Sequence, residues 1–215
     1  MVLGSPEDRD VPPGVELLLD DVTDPLLPPA ARSDCWRWHV LRSGGFYADT
    51  DVIFLRNVEA LFRGNRDAYI TQDIGTPISR QRGGYRADGS RSTVPSISIG
   101  VLGAREGSIF FQRVHHHARR QPPGTDYQSH GTLLLVQRWA EFTRNLMIYN
   151  IPGSAFYRQG SSARHVRKLW TETGEFDPTE YGLHWYGGSP ESAPYLDVPS
   201  AESLPECWVK RAVSR

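Results

Sequence analysis

The sequence predicts an α/β layer fold, a mostly parallel sheet flanked by helices. Three observations predict it. Short β-branched and aromatic runs interleave with segments of helical periodicity along the chain. At 215 residues the chain suits one large domain and can bury a sizeable core without covalent staples. Its 39% hydrophobic and 23% charged residues match a soluble globular chain, and no repeat or coiled-coil heptad points elsewhere.

The elements follow in order. Residues 1–30 form a proline-rich lead-in punctuated by Pro6, Pro12, Pro13, Pro25, Pro28 and Pro29, with one strand at Val15–Leu19. Ala31 to Ser43 reads as a helix capped by Ser33, with Asp34 in its first turn and Gly44-Gly45 ending it. Phe46 to Leu55 reads as one strand or as two short strands around a turn. Further strands are expected at Ala68–Thr71, Ser96–Gly103 and Leu146–Ile151, and helices at Ser108–Arg119 and Thr132–Phe142. Ile78 to Thr93 is a polar, Gly-rich loop, in which Arg80, Arg82, Arg86 and Arg91 read first as solvated residues and second as a lid over phosphates. Beyond Ser189 a Pro/Ser-rich tail, 191–215, is expected to wrap the surface.

Composition excludes several classes. Lys+Arg (24) against Asp+Glu (25) leaves a net charge of −1, which gives no electrostatic footprint for nucleic acid. No apolar run approaches the roughly 20 residues needed to span a bilayer. The start, MVLGSPEDRD, is acidic and lacks the apolar stretch of a signal peptide, so the expected location is cytoplasmic. Cys35 and Cys207 lack CxxC spacing and read as thiols in a reducing compartment. His115-His116-His117 reads as a polar helix face, and Asp73 as a loop residue.

The chemistry concentrates in two neighbouring stretches, Ser33-Asp34-Cys35-Trp36-Arg37 and Gly44-Gly45-Phe46-Tyr47-Ala48-Asp49-Thr50-Asp51. On an extended chain Asp49 and Asp51 point to one face, with Cα atoms ~6.6 Å apart. Two carboxylates on one face repel unless a cation or donors sit between them. Mg2+ or Mn2+ binds through such carboxylates and completes its shell with water and substrate phosphate. Alone, Asp-x-Asp is a common solvated turn. Its apolar surroundings and the Asp34/Arg37 pair upstream, with Arg37 a fork for phosphate or sugar oxygens, strengthen the metal reading.

Those residues resemble the "SDxxR…GGxYxDxD" block of the sugar transferases that carry a DXD sugar-binding region. That family includes the initiation-specific mannosyltransferases and capsular-polysaccharide sugar transferases, with the glucosylating large clostridial toxins more distant. Ser98–Gly107 is similar to the family's strand and "GA-x-x-G" turn. Ile151–Tyr157 is similar to its proline-bearing strand with an aromatic pair. Gly182-Leu183-His184-Trp185-Tyr186-Gly187-Gly188-Ser189 resembles its C-terminal "HHWxGSW" element. The resemblance covers about residues 30–190.

The resemblance implies a GT-A fold, Rossmann-like in its nucleotide half, in a single domain over 1–215 with the catalytic core at 31–190. It implies a metal-dependent hexosyltransferase that takes a nucleotide-diphosphate sugar donor and a glycan or other hydroxyl acceptor, with retention. Asp49, Asp51 and His184 would hold Mn2+ or Mg2+. Asp34 and Arg37 would hold the donor sugar, and Tyr47, Trp185 and Ser189 would line the donor site. Polysaccharide biosynthesis is the implied setting.

There are departures. The family's opening "IPKxIHxxW" strand has no counterpart, so an N-terminally shortened version of the fold is expected. Ile99 stands where the family has asparagine, Ser129-His130-Gly131 where it has a "TGP" turn, and a single histidine at 184 where it often has two. They motivate an alternative, a catalytically weak remnant that binds sugar or a partner. A third reading, a haloacid-dehalogenase-type phosphatase built on Asp49-Thr50-Asp51, lacks the long apolar lead-in strand and the acidic pair behind Lys168.

Overall fold

The computed structural model describes residues 23–72, 97–122, 128–197 and 200–214. The strand expected at Val15–Leu19, the loop Ile78–Thr93 with its arginines, and Asp73 lie outside the described residues. In chain order the helices are α1 (Pro29–Leu41), α2 (Ile109–Ala118), α3 (Thr132–Phe142), α4 (Ala163–Thr171) and α5 (Trp208–Val213). The strands are β1 (Gly45–Ala48), β2 (Val52–Phe54), β3 (Ala68–Gln72), β4 (Ile97–Ala104), β5 (Ile148–Ile151) and β6 (Gly182–His184).

Four strands form a mixed sheet in the order β1-β4-β3-β5, and β2 pairs with β6 in a second, two-stranded sheet. The mostly parallel sheet expected from the sequence is corrected here. Among the described pairings β1–β4, β3–β4 and β2–β6 are antiparallel, and only β3–β5 is parallel. A parallel neighbour needs a long crossover, normally helical. Between β3 and β5 the chain has room for one, through β4, α2 and α3. The β1–β2 link is three residues and has no such room.

Helix α1 starts two residues before the expected Ala31. Pro29 occupies its first turn, where a missing N–H costs nothing. Ser33 is therefore inside the helix and caps nothing, and Asp34 lies beyond the first turn. The chain leaves α1 through Gly44, at φ 90°, where a Cβ would sit 2.7 Å from the backbone nitrogen of Glu106. Helix α2 is capped by two side chains. The Ser108 hydroxyl accepts from Phe111 N–H, and the buried Asp67 carboxylate accepts from Ile109 and Phe110 N–H at 3.2 Å.

Apolar packing falls into three clusters. The first buries Trp38, Leu41, Ile70, Leu102, Phe110, Phe111, Leu134 and Leu135 between α1, α2, α3 and the sheet. A central one joins Val101, Ile151, Phe156 and Tyr157. The third joins α4, α5 and β6 through Val166, Leu169, Trp170, Leu183, Cys207, Trp208 and Val209. The tail expected to wrap the surface thus builds core: Cys207 and Trp208 are buried, and Trp208 N–H donates to the Glu172 carbonyl at 2.9 Å. Among the described residues no helix is long and apolar enough to cross a membrane.

Candidate functional site

Asp49 and Asp51 do not lie on an extended strand. They occupy the turn between β1 and β2, closed by Val52 N–H donating to the Asp49 carbonyl at 3.2 Å. Strand alternation, the geometry expected from the sequence, therefore does not bring them together; the turn does. The first end of this turn is fixed by Asp49 N–H donating to the Gly100 carbonyl at 2.8 Å, one residue past the β1–β4 register. The second end is fixed by β6. Val52 pairs with His184, and Trp185 N–H donates to the Asp51 carbonyl at 3.0 Å. A residue 133 positions downstream of Asp51 is thereby held beside it.

The result is a trio. One ligand atom each from Asp49, Asp51 and His184 lie within 4.8 Å of one another. His184 Nε2 is 3.3 Å from Asp51 Oδ1, and Gly187 N–H donates to Asp51 Oδ2 at 2.8 Å. Atoms this close could be drawn onto one divalent ion by small side-chain adjustments. Two carboxylates and one imidazole are a fitting donor set for Mn2+ or Mg2+. Tyr186 N–H donates to His184 Nδ1 at 3.3 Å, which assigns the proton of the neutral ring to Nε2. His184 would hold an ion through Nε2 only with its proton on Nδ1, in competition with the Tyr186 N–H.

Arg37 is the hub of the neighbouring charges. Its guanidinium is 3.2 Å from Asp34 Oδ1 and 3.3 Å from Asp49 Oδ1, donates to the Ile99 carbonyl at 2.6 Å, and lies 4.7 Å over the Tyr47 ring. Ile99 thus contributes through its backbone. The Arg37 Nε is buried and has no hydrogen-bond partner among the described residues. Burial pulls the Arg37 pKa down, but Tyr47, Asp49, Asp34 and Tyr157 together hold it above its ordinary value. Burial pushes the Asp34 carboxyl up to about 7; Arg37 opposes the shift and Asp49 adds to it.

Tyr47 donates to Asp49 Oδ1 at 2.7 Å. Burial, with Asp49 adding, raises its phenol above the ordinary range, so it stays a donor. Burial likewise raises Tyr157, which accepts a hydrogen bond from Ser98 and whose ring lies tilted, 5.0 Å from that of His184.

Asp34, Arg37, Asp49 and His184 line one cavity of about 400 Å³, together with Ser98, Tyr157 and Tyr186. Its floor needs glycines. A Cβ on Gly100 would sit 2.7 Å from the Tyr157 hydroxyl and 2.9 Å from Asp49 Oδ2. A Cβ on Gly131 would sit 2.3 Å from Asp34 Oδ2. The structure thus brings together Asp34, Arg37, Tyr47, Asp49, Asp51 and His184; Tyr47 and Asp51 reach the cavity through their contacts with Asp49 and His184 and do not themselves line it. It does not bring Trp185 or Ser189 into the cavity. Trp185 packs edge-on to Trp170, 5.7 Å away in the α4–α5 cluster, and the Ser189 hydroxyl donates to Glu191 at 2.6 Å.

Sequence reasoning gave no role to Ser98, Gly100, Tyr157 or Tyr186. Tyr157 had a signal in the aromatic pair after Pro152, but Gly100 and Ser98 read only as strand residues.

Residues 15–68 match the family model described as a glycosyltransferase sugar-binding region containing the DXD motif. The match includes α1, β1, β2 and the turn that carries Asp49 and Asp51. Comparison with curated proteins and with solved structures gives no significant match.

Proposed function

We propose that this chain is a metal-dependent glycosyltransferase. In this reading it moves a hexose from a nucleotide-diphosphate sugar to a hydroxyl of a glycan or other acceptor, with retention. The observation that carries the reading is the convergence of Asp49, Asp51 and His184 beside the buried Arg37, on the segment that matches the sugar-binding region. We take residues 31–190 as the catalytic core of one GT-A-like domain. The mixed sheet with helices around it is consistent with that fold. The buried thiols of Cys35 and Cys207, which form no disulfide among the described residues, suit a reducing, cytoplasmic setting.

Asp49, Asp51 and His184 would hold the divalent ion. When bound, it would neutralise the charge that builds on the leaving nucleoside diphosphate. The chain's own residues do the rest. Asp34 and Asp49 line the cavity beside one guanidinium, with Asp51 adjoining, so a divalent cation would offset the acidic charge that a diphosphate meets there. Asp34 and Asp49 hold the Arg37 guanidinium in place at the cavity wall, where its charge can stabilise a sugar or phosphate oxygen. Tyr47 fixes one oxygen of Asp49 and Gly187 N–H fixes one of Asp51, leaving each a second oxygen for the ion. Tyr157, kept protonated, presents a donor at the cavity wall.

The test is donor hydrolysis with Mn2+ across a panel of nucleotide sugars. Asp51→Asn is expected to lower metal-stimulated hydrolysis by at least about a hundredfold, with the circular dichroism unchanged. Equal turnover in the variant contradicts the proposal. Ligand binding without turnover in the unsubstituted chain would favour the binding remnant.

A further inference from the structure

A second, larger cavity, of about 830 Å³, shares no lining residue with the first. It opens where α1 and α2 end side by side. Arg42, just past α1, meets His115 and His116 of α2 and Arg119 and Arg120 just past it, with Gln112 adding a neutral amide. None of the described residues lining it is acidic. Cations at helix C-termini are favoured by the helix dipoles, and that accounts for part of the cluster. Arg42 Nε donates to the His39 carbonyl at 3.2 Å, and Arg120 to the His116 carbonyl at 3.3 Å. These bonds fix two forks in place but neutralise neither, because a carbonyl carries no net charge.

His115 registers the unbalanced field. It is buried on the cavity side of α2 and is pushed down to about 4, by burial first and then by Arg42, His39, Arg119 and His116. Burial is the larger cause, and the neighbouring cations add to it. Its ring is therefore neutral near pH 7, and the charge of the cavity belongs to the three arginines. Planar guanidinium forks match phosphate oxygens, and three of them around one concavity suit more than a single phosphate.

We propose that this cavity is a binding site for a soluble ligand carrying two or more phosphate groups, separate from the diphosphate held at Asp49 and Asp51. Binding here needs no divalent ion, because the cavity is cationic by itself. The first cavity differs: there a divalent cation would offset the acidic charge that the same ligand meets. Metal dependence therefore separates the two sites.

Calorimetric titration of the full chain with inorganic pyrophosphate, in chelator and at low salt, tests the proposal. Saturable binding is expected, weakened about tenfold or more by Arg42→Gln/Arg119→Gln, retained by Asp51→Asn, and falling as salt rises. Arg119→Gln alone, at an exposed position, is expected to weaken binding by several-fold and guards against misfolding of the double variant. Absence of binding at millimolar pyrophosphate overturns the proposal, as does equal affinity in both arginine variants. Cosedimentation with phosphatidylglycerol vesicles in place of pyrophosphate binding overturns it too, and assigns the arginines to a lipid surface. Failure of the donor-hydrolysis test leaves this result untouched.

Discussion

Helix α1 and the α4–α5 pair each bury a face, and they bury different chemistry. Helix α1 places Asp34 and Arg37 among Ala31, Cys35, Trp38 and Leu41. Helices α4 and α5 bury Val166, Leu169, Trp170, Trp208, Val209 and Ala212, with Trp170 stacked 4.6 Å from Tyr195 and Trp208 edge-on to Phe176. A buried ion pair rarely repays its desolvation, and apolar residues of similar volume usually stabilise as well or better. The α4–α5 region is built the way stability alone dictates, and α1 is not. The raised Asp34 pKa is the signature of that cost. The charges on α1 serve the cavity they line, while the apolar region holds β6, and with it His184, against the turn of Asp51.

The largest expected effect that breaks this division is on activity. Asp34→Asn/Arg37→Met removes the buried pair together and leaves the more exposed Asp49 with its Tyr47 hydrogen bond. Stability is expected to hold or to rise by up to about 2 kcal/mol in urea melts, while donor turnover falls by about a thousandfold. A large loss of stability would show that α1 is charged for the sake of the fold. Trp208→Ala reverses the pattern. It is expected to cost about 3–5 kcal/mol by denaturant melt, while the folded fraction, at low temperature, keeps its dependence on Mn2+.

The pH dependence is a smaller effect and follows from Asp34. Its folded pKa, about 7, is above the ordinary 3.8, so the folded state holds the proton more tightly. The stability it confers is full below about pH 4 and is lost as pH rises through about 7. Asp34→Asn is expected to flatten that part of the stability–pH curve, measured by thermal melts without divalent ion. An unchanged slope would place the titration elsewhere. Smaller again, Gly100→Ala crowds Asp49 and Tyr157 and is expected to weaken Mn2+ affinity by about tenfold, by titration calorimetry, with little change in melting temperature.

What was legible in the sequence tracks what is local. Helices α2 and α3 follow from apolar periodicity. The two strands around Asp49-Thr50-Asp51 follow from the β-branched and aromatic residues beside a polar turn. The acidic pair, Arg37 and the C-terminal histidine were readable as residue types in a familiar order. Their geometry was not, because the turn depends on Gly100 and on the β2–β6 register, both far away in sequence. Helices α4 and α5, nine and six residues long, were missed for the same reason. Elements this short owe their stability to tertiary packing, here the Trp170 and Trp208 contacts. Strand direction was misjudged because alternation of strands and helices was read as a rule where two connections lack a helix among the described residues.

The central claim, a divalent ion held by Asp49, Asp51 and His184 beneath a sugar donor's diphosphate, is tested most directly by electron paramagnetic resonance of Mn2+ titrated into the chain with uridine or guanosine diphosphate present. One bound ion per chain is expected, tightened by one of the two nucleotides and lost in Asp51→Asn. A free Mn2+ spectrum at every ratio, or the same bound spectrum in the variant, would contradict it.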